Sequence, residues 1–267
     1  MSKKNKFLSL LQYEANRNFT IIMINVLVTV ILTVLLYYER ILRFIYMHRS
    51  NEYLDQVING MAIQTLGINE GAMYIFFLEG LLVVIFSIFI WAREFSFEHK
   101  TSYRTLSLPI KRWKIILSKS LVVMLFYGMF WLGQFLSIII KWFILRIKVR
   151  SVYDIGFNYL IEGLFKINNN GFVSIEFSTV IITIFMIFTA SLVGGLAVLL
   201  KQSFGLKGVF YWILYGISAV LIFFYIPIFK MHFFSVEFLL LYTVGILIFI
   251  GITFVMNNYL INKKVSV

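Results

Sequence analysis

Apolar residues run along this chain in unbroken stretches, and the charges gather in the breaks between them. Phe19–Tyr38, Ser120–Ile140, Phe177–Leu200, Gly208–Phe229 and Phe238–Ile261 carry no charge at all. A sixth stretch, Ala72–Ala92, is interrupted only by Glu79. Crossing a hydrocarbon core of roughly 30 Å takes about 20 apolar helical residues, and each stretch is that long. Barrel strands would alternate apolar and polar positions over about ten residues instead. The pattern therefore predicts an all-α membrane protein with six transmembrane helices, residues 1–267 forming one transmembrane domain.

The expected helices are Phe19–Tyr38, Ala72–Ala92, Ile115–Ile140, Phe177–Leu200, Gly208–Ile226 and Phe238–Leu260. Before the first, Phe7, Leu10 and Leu11 repeat at helical spacing within Lys6–Asn18. That spacing predicts a short amphipathic helix lying in the membrane interface. Two long segments, Glu39–Gly71 and Lys141–Glu176, fall on one side of the membrane. The basic segment Arg93–Lys114 and a seven-residue link, Lys201–Lys207, fall on the other. Pro227 is expected to end the fifth helix, because its ring removes an amide donor.

Composition agrees with this pattern. Hydrophobic residues make up 61% of the chain and charged residues 13%, which excludes an ordinary soluble domain. A net charge of +12 could draw nucleic acid, but its distribution argues otherwise. With both termini inside, the inner segments hold fifteen of the 24 basic residues and only three acids, Glu14, Glu94 and Glu98. An excess of Lys and Arg marks the cytoplasmic side. The charge thus orients the chain in a membrane and implies lipid, with no nucleic-acid partner.

Candidate chemistry is sparse. With no cysteine there is no thiolate nucleophile, and His48, His99 and His232 lie in three separate segments. No HExxH, GxSxG or Gly-rich loop ending in Gly-Lys-Ser/Thr is present. No catalytic residue and no metal ligand set is expected. Glu79 is the exception inside a span, since a carboxylate there costs a few kcal/mol on insertion scales. It reads as a cavity group facing a cationic substrate, as a neutral or hydrogen-bonded acid packed between helices, or as one reaching the outer interface. Asn25, Thr29 and Thr33 share one helix face, which should turn toward protein or a wet cavity, unless the threonine hydroxyls only bond to their own helix backbone. Gly194-Gly195 permits close helix approach.

The 28 residues Glu94–Leu121, EFSFEHKTSYRTLSLPIKRWKIILSKSL, carry a resemblance. They are similar to the signature of ABC-2 type transporter permeases, the membrane subunits of a class of ABC exporters. In that family an acid ends the second span, followed by a Gly-Thr pair, an apolar short helix, Leu-Pro, Arg, and a Lys opening the third span. Glu94 or Glu98, Thr101, Leu106, Leu108-Pro109, Arg112 and Lys119 occupy those places, while Lys100 stands where many members have glycine. The resemblance implies a cytoplasmic coupling helix between helices 2 and 3, with Glu94, Glu98, Lys100, Tyr103, Arg104, Leu106, Pro109 and Arg112 meeting a separate ATPase.

The same resemblance implies two ATPase subunits holding ATP and Mg, since this chain binds no cofactor of its own, and a second permease, identical or paralogous. Asn25, Thr29, Thr33 and Glu79 would then line the substrate cavity or a subunit contact. The expected cargo is a hydrophobic, amphipathic or cationic peptide, a lipid or a drug. The expected setting is a bacterial cytoplasmic membrane, as in peptide export, bacteriocin immunity or antibiotic resistance. The competing readings are an ion-coupled secondary transporter or channel, and an intramembrane enzyme.

Overall fold

The computed structural model describes residues 6–47, 70–97, 111–148, 177–228 and 235–263. Among these residues the fold is helical throughout, with no strand. The helices are α1 (Lys6–Met47), α2 (Glu70–Ala92), α3 (Trp113–Lys148), α4 (Phe177–Phe204), α5 (Leu206–Ile228) and α6 (Ser235–Lys263). Five residues of π-helix, Arg93–Phe97, continue α2 at its end. Among the described residues four helices are long and apolar enough to cross a membrane: Lys6–Glu39 of α1, Trp113–Ile144 of α3, Thr183–Phe204 of α4 and Leu240–Lys263 of α6. The chain thus has the character of a multi-pass membrane protein.

The helix ends differ from the sequence expectation in several places: α1 continues past Tyr38 to Met47 and α3 past Ile140 to Lys148, into the segments expected outside the spans, and three further ends differ. Lys6–Asn18, expected as a separate interfacial helix, runs straight into α1, a single helix of 42 residues. No glycine or proline lies between Lys6 and Met47 to break it, and Asn18 Nδ2 bonds back to the Glu14 carbonyl. The link Lys201–Lys207 shrinks to one residue, Gly205, between α4 and α5. Gly205 has φ 61° and its amide donates to the Lys201 carbonyl, a left-handed cap that closes α4. Pro227 falls inside the last turn of α5, which ends one residue later at Ile228. An amide-less residue in a final turn breaks the ladder only where it is already ending.

The chain divides into two compact units. The first combines Met1–Asn18, Leu81–Leu125 and Ile181–Val267. Its core joins Trp91, Phe95, Ile116, Leu192, Leu196 and Leu199 to Leu260 and Ile261. Of the most apolar stretch of α4 56% is buried, twice the share in the other three. Three consecutive α4 carbonyls each accept a side-chain bond from a different helix. Ser87 of α2 reaches Ser191, Asn257 of α6 reaches Leu192, and Trp212 of α5 reaches Val193. Gly194 and Gly195 follow directly. A Cβ on Gly194 would strike Ser87 of α2, and one on Gly195 would strike the Trp91 ring.

The second unit combines Phe19–Gly80 and Phe126–Val180. On α1 it is built inside out relative to a water-soluble helix. Asn25, Thr29 and Thr33 are buried, while Ile24, Leu27, Ile31 and Leu35 are more than half exposed. Burying threonine and exposing leucine is unfavourable in water but natural in lipid, where apolar side chains gain nothing by leaving the solvent.

Candidate functional site

The most concentrated chemistry lies in the first unit, where three charged side chains meet away from solvent. Lys119, nearly two turns into α3, is 0% exposed. Its Nζ donates to Glu14 Oε1 of α1 at 3.1 Å and pairs with Glu94 Oε2 of the π-helical turn. The same ammonium lies 5.5 Å from the centre of the Trp91 ring. Glu14 and Glu94 are buried too. Two carboxylates and an aromatic face therefore share one ammonium. Local structure explains the convergence. Glu94 follows α2 in a π-helical stretch, where five-residue hydrogen bonding re-aims side chains; such stretches are common at functional sites. Trp91 and Phe95 stack at 5.7 Å and close the apolar side of the cluster.

Further bonds fasten the same end of the unit. Gln202 Nε2 of α4 donates to the Phe95 carbonyl at 2.7 Å. Arg112, at the entrance to α3, donates from Nη1 to the Ile261 carbonyl of α6. The lone pairs and donors are not all matched: Glu94 Oε1 and Trp91 Nε1 make no hydrogen bond among the described residues. Nothing in this arrangement provides a nucleophile beside a base. It offers a mechanical joint, in which α1, α2, α3, α4 and α6 are tied at the two roots of the segment 98–110.

Of the residues expected to meet an ATPase, Glu94 and Arg112 are described, and each is engaged within the fold. Glu98, Lys100, Tyr103, Arg104, Leu106 and Pro109 lie outside the described residues. Sequence reasoning named Lys119 as the lysine opening the third span and counted Glu14 among the inner acids, without joining them. A signal was available: Lys119 falls inside an expected helix, and Glu14 is an acid in a basic terminus. No protein-family model, curated protein or solved structure matches this chain.

The second candidate group lies in the other unit. Asn25 Nδ2 of α1 donates to Glu79 Oε1 of α2 at 2.9 Å, and both residues are buried. Thr33 Oγ1 donates to the Thr29 carbonyl at 2.5 Å, a bond within its own helix. At Thr29 the stripe meets α3, because a Cβ on Gly133 would lie 3.4 Å from the Thr29 side chain. The structure thus brings Asn25 and Glu79 together and turns the threonine face toward protein. Asn25→Leu should cost about 1–3 kcal/mol, since it leaves a buried carboxyl without its donor. Glu79→Gln, which keeps a polar partner, should cost less. Thermal unfolding in detergent checks the order, and an Asn25→Leu variant as stable as the parent would show that the bond contributes nothing.

Proposed function

We propose that this chain is the transmembrane subunit of an ATP-driven exporter of the ABC-2 permease type. In this reading six helices cross a bacterial cytoplasmic membrane with both termini inside. Lys6–Asn18 lies toward the inner interface, and 93–114 forms the cytoplasmic coupling segment. Two separate ATPases hold ATP and Mg, and a second permease completes the transporter. The cargo is a hydrophobic, amphipathic or cationic peptide, or a lipid or drug of similar character, and this chain performs no catalysis.

The observation that carries the reading is the Glu94–Lys119 pair. These two residues stand at the two ends of the segment that resembles the family, and the pair holds its ends together. The two roots of the segment, which are described, are thereby fastened to one another. Glu14 and Arg112 extend the fastening to α1 and α6. Force applied to residues 98–110 would therefore reach several helices at once. Glu94, buried as it is, would act through Lys119 rather than on the ATPase surface.

Glu98→Lys combined with Leu106→Asp tests the coupling assignment. Glu98→Lys reverses a charge that attraction to anionic lipid does not need, and Leu106→Asp removes part of an apolar seat. The double variant should lose most ATPase co-purification and transport while expressing normally. Undiminished co-purification and transport would contradict docking at this segment.

A second reading, an ion-coupled secondary transporter or channel, rests on Glu79. A buried carboxyl group in an apolar helix is the kind of group that proton and cation paths use.

A further inference from the structure

Lys141 is a second buried cation of α3, and among the described residues it has no counter-charge. The residue is 8% exposed, and its Nζ lies 5.6 Å from the centre of the Tyr37 ring, itself buried. Among the described residues no carboxylate pairs with Lys141 and no acceptor takes its hydrogen bonds. An ammonium has three donors and no acceptor capacity. An aromatic face attracts it but supplies neither a neutralising charge nor a lone pair. Buried ammonium groups ordinarily acquire both.

Depth suggests what supplies them. From Lys119 to Lys141 the helix rises about 33 Å at 1.5 Å per residue. That is close to the roughly 30 Å thickness of a hydrocarbon core. In the sequence Lys141 closes the charge-free run Ser120–Ile140, so with α3 spanning a membrane it falls at one edge of the hydrocarbon, at the level of lipid phosphates. Its neighbours have the character of that level. Trp142 and Phe143 pack edge to face at 5.0 Å, and Phe143 is exposed, as aromatic side chains are at a membrane interface. The chain from Ile139 to Arg150 contains Lys141, Arg146, Lys148 and Arg150 and no acid, which favours an anionic ligand.

We propose that Lys141, seated on the Tyr37 ring, is a binding site for a phosphate group, supplied by a phospholipid headgroup at the Lys148 end of α3. The ammonium donates to phosphate oxygens, and exclusion of water strengthens that charge-assisted contact. This site requires α3 to span the membrane; it does not depend on the transport reading. The alternative is a lysine that only reaches outward along its own stem to the interface.

Native mass spectrometry of the purified full-length chain, titrated with phosphatidylglycerol, separates the two. Lys141→Met should weaken the tightest lipid-binding event about tenfold, the scale of one lost charge-assisted bond. Lys141→Arg, which keeps the charge, should stay within about threefold of the parent. Lys141→Gln carries the same expectation as Lys141→Met and guards against a folding artefact in either one. Inorganic phosphate at millimolar concentration is the competing arm. Failure to displace the lipid identifies the headgroup as occupant, whereas displacement assigns the site to free phosphate and overturns the lipid assignment. Equal lipid binding by the parent and both uncharged variants would overturn the site itself.

Discussion

Lys119→Met should destabilise the protein by about 3–5 kcal/mol, the usual cost of removing one partner from a buried ion pair. The reason is what remains. Glu14 and Glu94 would stay buried without the cation they share, and Trp91 would lose the ammonium over its ring. The charge itself is not required for stability, because a buried ion pair is often no better than an apolar replacement. The triple variant Lys119→Met, Glu14→Gln, Glu94→Gln should therefore recover most of the loss. Thermal unfolding in detergent, followed by fluorescence-detected size exclusion, measures both. A Lys119→Met protein that melts with the parent would remove the joint from the account. Under the proposed function, a folded triple variant should still couple poorly, since its roots no longer lock.

The second large effect is steric. Gly194→Val should cost at least the 1–3 kcal/mol typical of overpacking. The added Cβ would strike the Ser87 side chain and lie 3.2 Å from the Ile88 amide nitrogen. A backbone atom cannot turn aside as a flexible side chain does, so α2 and α4 would have to part. Parting would also strain the bond from Ser87 to the Ser191 carbonyl. Interhelical hydrogen bonds in membranes average only about 0.6 kcal/mol, so steric overlap dominates. Gly216→Ala and Gly251→Ala are the controls, because nothing lies within 4 Å of a Cβ at either. Both should be neutral or stabilising by up to about 1 kcal/mol through helix propensity. Equal stability of Gly194→Val and the controls would mean that α2 and α4 do not approach as closely as described.

Helical character was plain in the sequence because lipid imposes a length and an absence of charge that any reader can find. The inward face of α1 was plain for the same reason, since Asn25, Thr29 and Thr33 repeat on one side. Gly194-Gly195 announced a close approach, but only the fold shows that Ser87 and Trp91 fill it. Glu79 and Asn25 each stood out alone. Their bond joins residues 54 apart in the chain, and nothing local records it. The Lys119 cluster was missed for a related reason. Its partner Glu14 lies 105 residues away, and basic and acidic residues near a membrane surface look alike whether they face water or each other. Helix ends were the weakest reading. A seven-residue polar stretch suggests a loop, yet one glycine with positive φ suffices to reverse the chain at Gly205.

The most direct test of the account is to isolate the chain from its native membrane in mild detergent and ask what comes with it. The proposal predicts a separate P-loop ATPase in stoichiometric amount, with vanadate-sensitive ATP hydrolysis lost in the Glu98→Lys, Leu106→Asp variant. A chain that purifies without any nucleotide-binding partner, and moves ions across a proteoliposome membrane without ATP, would contradict it.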